Sequence, residues 1–342
     1  MTSPAGVPTA EATPPFRVTV LSGGVGGARF ARGMRRHLAR SGREATLTCI
    51  VNTGDDMWLN GLRVCPDLDS VMYGLAGVHD RDRGWGRADE TERVSAELLA
   101  YGVGADWFTL GDLDLGTHIA RSQMLREGLG LTEVTRRLSS RWDLGATLLP
   151  ATEHSVETRV RVGVGPDDTL HFEEWWVRHR AAMPALGFEQ AGADVAGPGP
   201  GVLEAIAEAD LLVLAPSNPI VSIGTILGIP GLREAVRSAS SPVVGVSPIL
   251  GDAPVLGMAA QCLTAVGAEV SAAGVAEHYG ARTRDGLIDG WLVDTRDGAA
   301  VDRLAGGGIA ARAVPLLMSS DELAADMAAA AQALASSLRV AG

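Results

Sequence analysis

Phe16-Arg17-Val18-Thr19-Val20-Leu21 runs straight into Ser22-Gly23-Gly24-Val25-Gly26-Gly27, and beyond it Phe30, Met34 and Leu38 recur at four-residue spacing before Gly42. The alternation of the first segment predicts a strand buried on at least one face. The later spacing predicts a helix, with glycine as its stop. Thr46 to Val51 reads as a second strand, so the opening of the chain spells strand, glycine turn, helix, strand. That order begins a doubly wound α/β fold with a mainly parallel, Rossmann-like sheet.

Further units repeat the theme. Trp107 to Leu110 reads as a short strand, Thr117 as the cap of a helix carrying His118 and Arg121, and Val134, Leu138 and Trp142 as one face of the next helix. Residues 151–200 change character: Val156, Thr158, Val160 and Val162 alternate with charged residues, and Phe172-Glu173-Glu174-Trp175-Trp176-Val177 precedes a Gly/Pro stretch. A β-rich insertion serving as lid or dimer contact is expected there. Strands at Leu211–Ala215, Val243–Val246 and Trp291–Asp294 resume the sheet, and an Ala-rich surface helix covers about 320–338. The expected organisation is a flexible tail at 1–15, a core made of 16–150 and 201–342, and the insertion between them.

Composition narrows the chemistry. Of 342 residues, 29 are Lys or Arg, and reading along the chain finds every one to be arginine. Without lysine there is no Walker-type P-loop and no Schiff-base or pyridoxal-phosphate chemistry. A net charge of −12 argues against a nucleic-acid partner. No apolar run approaches the roughly 20 residues of a membrane span, and the Pro/Ala/Thr-rich start has no apolar signal core. Three unpaired cysteines suit a reduced, cytoplasmic setting. With 46% hydrophobic but only 4% aromatic residues, the core must be aliphatic.

Three constellations carry chemistry. The glycine turn offers free N–H groups and a helix N-terminus to a phosphate, with Arg29 beside it. The dinucleotide pattern fails at its third glycine, where Arg29 stands, and Asn52 occupies the place of the ribose-binding acid, which disfavours an NAD-dependent oxidoreductase. Next, Asn52-Thr53-Gly54-Asp55-Asp56 and Cys65-Pro66-Asp67-Leu68-Asp69 put four carboxylates after a strand end, either as caps and turns or as hard oxygen ligands for Mg²⁺. The seven histidines show no zinc spacing. Finally, Ala215-Pro216-Ser217-Asn218-Pro219 leads to Ser222-Ile223-Gly224, where Ser222 caps a helix and offers a second anion or base site.

Taken in order with Gly84-Trp85-Gly86 and Gly111-Asp112-Leu113-Asp114-Leu115-Gly116-Thr117-His118, these motifs resemble the 2-phospho-L-lactate transferase family of coenzyme F420 biosynthesis over residues 16 to at least 300. The composition is similar to that of its actinobacterial, phosphoenolpyruvate transferase-like members. The resemblance implies transfer of a phospho-acid unit, lactyl, enolpyruvyl or glyceryl, from a guanosine-diphosphate donor to the deazaflavin Fo. GMP is released, Mg²⁺ is required, and the enzyme is a homodimer. Asp55 and Asp67 are then expected to bind Mg²⁺, with Asp56 orienting or deprotonating the Fo hydroxyl. Gly24, Gly26, Gly27, Ala28 and Arg29 would hold the diphosphate beside Asn52. Ser217, Asn218, Ser222, Ile223 and Gly224 would meet the guanosine or phosphate end, and Trp85, Arg87, Asp89, Thr117 and His118 would surround the deazaflavin. Trp85 is open to either reading, ring partner or core. Relatives would carry a basic residue where Leu256 and Ala88 stand. The alternative is a non-enzymatic, nucleotide-sugar-binding regulator of the same superfamily.

Overall fold

The computed structural model describes residues 14–81, 83–251, 253–255 and 257–341. Leu256 and most of the expected tail, residues 1–13, lie outside them. The central sheet has seven strands, β1 Phe16–Ser22, β2 Ala45–Val51, β3 Thr147–Pro150, β4 Leu211–Leu214, β5 Val243–Val246, β6 Gly290–Val293 and β7 Ala310–Ala313. Their spatial order is β7-β6-β5-β4-β1-β2-β3, and every pair is parallel. The chain therefore winds outward from β1 in one direction, returns, and winds out in the other. Between β1 and β4 lies the switch point, where such sheets bind ligands beyond the carboxyl ends of their strands.

Five helices matter for the site: α1 Val25–Arg40, α2 Pro66–Ala76, α3 Asp112–Arg126, α4 Ile223–Gly228 and α5 Asp321–Ala341. Both faces of the sheet are covered. Val18 and Val20 of β1 join Phe30 and Met34 of α1, Val71 and Met72 of α2, and Met327 and Ala331 of α5 in one aliphatic cluster. On the opposite face Leu21, Ile50 and Leu214 meet Val221, Ile223 and Trp291. The Ala-rich helix is thus half-buried, packing on α1 as well as facing solvent. A Cβ on Gly33 would lie 2.4 Å from the Ala324 backbone, so a glycine is needed where α1 and α5 cross.

Residues 157–191 form their own antiparallel sheet, Thr169–His171 beside Glu157–Arg161 beside Gly187–Ala191. Its Val160, Phe172 and Trp175 are buried in the same cluster as Leu21 and Ile50.

Several local expectations need correction. Trp107 to Leu110 is irregular, because its apolar side chains turn into a small cluster with Met57, Val64 and Leu115 rather than into the sheet. Thr117 does not cap a helix: α3 starts five residues earlier, and Glu90 supplies the missing acceptor by taking the Asp114 N–H at 3.0 Å. Trp142 lies beyond its helix, which ends at Ser139, and packs edge-on to Tyr73. Ser222 stands at the N-cap of α4 but its hydroxyl makes no capping bond.

Candidate active site

The glycine turn and the segment after β4 clasp one another across the switch point. Gly23 N donates to Ser217 Oγ at 2.9 Å, and a Cβ on Gly26 would stand 2.6 Å from Pro216 O. The turn passes directly into α1, with Gly24 as N-cap and Gly26 and Gly27 inside the first helical turn. That turn contains no acidic residue of its own, and the carboxylate lying against its N–H groups is that of Asp67 in α2. Asn218 is spent on its own loop: Oδ1 accepts from Ile220 N (3.0 Å) and Val221 N (3.2 Å), and Nδ2 points to Cys262 Sγ.

Asn52, at the end of β2, is the hub of the acidic group. Its Nδ2 donates to Asp55 Oδ2 (3.1 Å), Asp67 Oδ2 (2.9 Å) and Val221 O (3.3 Å), while Gly54 N donates to its Oδ1 (2.9 Å). Asp55 is buried, and its Oδ1 has no hydrogen-bond partner. Asp67, in the first turn of α2, accepts the Gly24 N–H and fills the space a Cβ on Gly24 would need, 2.5 Å from Asp67 Oδ1. Glu173 of the inserted segment is 4% exposed; its backbone N–H donates to His171 Nδ1 at 3.2 Å, and its carboxylate pairs with no arginine among the described residues. Burial drives the Asp55 carboxyl well above its usual range, with the charges of Asp67 and Glu173 adding. Burial likewise lifts Asp67 to about 7 despite its bonds from Asn52 and Gly24, and lifts Glu173 to about 8 with Asp67 adding.

Asp56, next in the chain, has a cation partner. Its Oδ2 accepts from Arg63 Nη2 at 3.2 Å, Oδ1 is unpartnered, and burial raises its pKa to about 6 against the pull of Arg63. Behind it lies a chain of buried polar groups: Arg121 grips both oxygens of Asp69 and donates to His118 Nδ1 at 3.0 Å, and Tyr73 OH donates to Asp114 Oδ1 at 2.6 Å. His118 accepts at Nδ1, so its proton sits on Nε2, 3.4 Å from Asp114 Oδ2. Thr117 is buried in the same region, and Arg87 lies over the rings of Tyr73 and Trp142. Asp69, Asp114 and His118 bring their ligand atoms within 4.8 Å of one another. Arg121 already supplies the cation there, whereas no arginine among the described residues pairs with Asp55, Asp67 or Glu173.

Trp85 stands apart from this network. It is 60% exposed and lines a shallow, open cleft with Arg29, Arg32, His79 and Ser70. Asp89, on the same loop, is exposed with a left-handed φ of 58°. The structure therefore puts Arg29 and Trp85 on one cleft, next to the glycine turn, and draws Arg87, Thr117 and His118 into the interior.

Comparison with known proteins decides the family. The family model "2-phospho-L-lactate transferase CofD" matches residues 18–328. The chain belongs to the 2-phospho-L-lactate transferase family. It is 54% identical over 325 residues to the phosphoenolpyruvate transferase of Streptomyces coelicolor, covering 95% of this chain and 99% of that one. The phosphoenolpyruvate transferases of Kitasatospora aureofaciens, 54% identical over the same shares, and Mycolicibacterium smegmatis, 51% identical over 91% of this chain and 96% of that one, are comparably similar. A Bacillus halodurans protein of the upf0052 family shares the fold, with a TM-score of 0.60 at 17% identity over 94% of this chain and all of that one.

For a transferase of this family the acidic set is a test of metal binding. An orphaned Asp55 oxygen beside Asp67, the two bridged by Asn52 and neither paired with an arginine among the described residues, fits a divalent ion that fills its remaining positions with water and substrate phosphate. Carboxyls whose pKa is higher in the folded chain hold protons more tightly there. Their stabilising share is complete below the unfolded values, near 4, and is lost as pH rises through about 7 for Asp67 and about 8 for Glu173. Added Mg²⁺ should therefore raise the thermal midpoint by several degrees more at pH 8.5 than at pH 5.5. A gain independent of pH would place the ion away from these residues.

No described helix is long and apolar enough to cross a membrane.

Proposed function

We propose that this enzyme transfers the phosphoenolpyruvyl unit of a guanosine-diphosphate donor to a ribityl hydroxyl of Fo. The observation that supports the reading is the switch-point crevice itself, where a helix whose own first turn carries no acid faces the Asn52-bridged carboxylates of Asp55 and Asp67, neither paired with an arginine among the described residues. Enolpyruvate is chosen among the acids because the relatives at 51–54% identity are named phosphoenolpyruvate transferases.

The hydroxyl oxygen forms a bond to the phosphorus that bears the acid, the bond from that phosphorus to the GMP oxygen breaks, and GMP departs with both electrons. Asp55 and Asp67 would hold Mg²⁺, which when bound neutralises charge on the diphosphate. The N–H groups of the glycine turn, from Gly24 to Ala28, with Arg29, steady the donor phosphates. Asp56 takes the hydroxyl proton on its unpartnered Oδ1, and a pKa near 6 suits that duty at neutral pH. Ser217 and Asn218 shape the wall facing the nucleotide, with Ser222, Ile223 and Gly224 completing it. Trp85 offers an exposed ring to the deazaflavin. A homodimer and a cytoplasmic setting belong to the same proposal.

The test is direct. Purified protein with Mg²⁺, Fo and guanylylated phosphoenolpyruvate should release GMP and yield a phosphodiester of Fo, with the lactyl and glyceryl donors slower. Equal or faster turnover of either would reassign the acid. No GMP from any of the three would remove the transferase reading.

A further inference from the structure

We propose that the cleft beside the glycine turn binds the carboxylate of the transferred acid, with Arg32 as the residue that recognises it. This rests on the transfer reading above and extends it to the acid end of the donor. The described residues lining the cleft include two arginines, Arg29 and Arg32, and no carboxylate, although the chain as a whole carries 41 acids against 29 basic residues. Arg32 is fixed in place: Nη2 meets Asp321 Oδ1 at 2.8 Å, and Nη1 donates to His79 Nε2 at 3.0 Å. Arginine has donors only, so the imidazole is the acceptor. Burial, with the charges of Arg32, Arg81 and Arg29, lowers the His79 pKa and keeps the ring neutral for that role. The Nε–H of Arg32 is left without a partner, and the Arg29 guanidinium pairs with no carboxylate among the described residues. Asp80, next to His79 in the chain, is held by Arg83 at 2.9 Å.

The cleft opens from the phosphate cradle itself. Ser70 lines it, and Ser70 Oγ lies 3.7 Å from where a Cβ on Gly24 would stand. Val25, Arg29 and Arg32 follow one another along α1 at intervals of about one turn, roughly 5 Å each. Side chains on a helix lean toward its N-terminus, which carries the Arg32 head back toward the glycine turn. The hairpin that presents Trp85 to the cleft is closed by Ala88 N to Val78 O (2.9 Å) and Asp80 N to Gly86 O (3.2 Å). The carboxylate of a phospho-acid stands only a few bonds from its phosphorus, and its two oxygens match the arginine fork. A shallow cleft with fixed cations suits so small an anion. Held at both ends, phosphate and carboxylate, the group being transferred loses its freedom to rotate.

Calorimetric titration with guanylylated phosphoenolpyruvate and with GDP, both with Mg²⁺ and without Fo, tests this. Arg32→Gln should weaken the donor at least about tenfold and GDP less than about twofold. Asp321→Asn breaks the same ion pair between α1 and α5 but leaves the Arg32 charge, and should bind both as wild type does. In wild type, a donor whose carboxylate is a methyl ester should bind at least about tenfold more weakly than the acid, which tests the cleft without any substitution. Equal losses of donor and GDP in Arg32→Gln would make Arg32 a phosphate or folding residue, and an ester that binds as tightly as the acid would mean that no carboxylate is read there. Either result overturns the inference. A rise confined to the KM for Fo in Arg32→Gln would give the cleft to the deazaflavin and overturn it as well. All of these failures leave GMP release by wild type intact, whereas wild type that releases no GMP from any donor would sink the transfer reading and the inference with it.

Discussion

Asp67→Asn should reduce turnover by about 100- to 1,000-fold, the usual cost of losing one group that balances charge at the reacting centre. The substitution keeps the shape of the side chain, and its amide oxygen can still accept from Asn52, which now bonds Asp67 at 2.9 Å. What disappears is the negative charge that lies against the glycine turn and beside Asp55. Stability should move the opposite way to activity: the metal-free variant should melt higher than wild type, since the pKa near 7 marks a charge that folding penalises. Steady-state GMP release at limiting Mg²⁺ and thermal melting of the metal-free protein read the two effects separately. Near-normal turnover would make Asp67 a helix-terminus residue of α2 and nothing more.

Arg121→Met should be the most destabilising single change in the polar interior. Arg121 is 2% exposed, grips both oxygens of Asp69, and also donates to the Arg63 carbonyl at 3.3 Å and to His118. Methionine fills similar space but leaves Asp69 charged and buried with no partner, a loss of about 3–5 kcal/mol. Adding Asp69→Asn should recover most of that, because the orphaned charge is the penalty and the pair itself is worth less. Denaturant unfolding of the single and double variants closes the cycle. Additive losses would show that Arg121 acts by packing alone.

The elements that could be read from the chain are those whose signal is local. The strand at Phe16, the glycine turn and the helix through Leu38 follow from periodicity and backbone chemistry within 25 residues. Asp55 and Asp67 stand out in the sequence because each follows closely on a strand or turn. Local signals fail at Trp107–Leu110, whose alternation is satisfied by a small local cluster, and at Thr117, whose expected capping duty Glu90 performs from a separate loop. Along the chain the glycine turn and Pro216-Ser217 stand as separate ligand sites. In space Gly23 and Ser217 share a hydrogen bond, and that closure is what makes one crevice of two motifs.

The crossing of α1 and α5 sets the order in which this site can be assembled. The glycine turn is translated first, yet β1 gains its neighbour β4 only after some 190 further residues, and α1 is covered only when α5 arrives. Until then an apolar helix face and a sheet edge stand open at the heart of the chain. A nascent polypeptide that already contains every residue of the phosphate cradle therefore has no cradle, and must be kept from association through most of its synthesis.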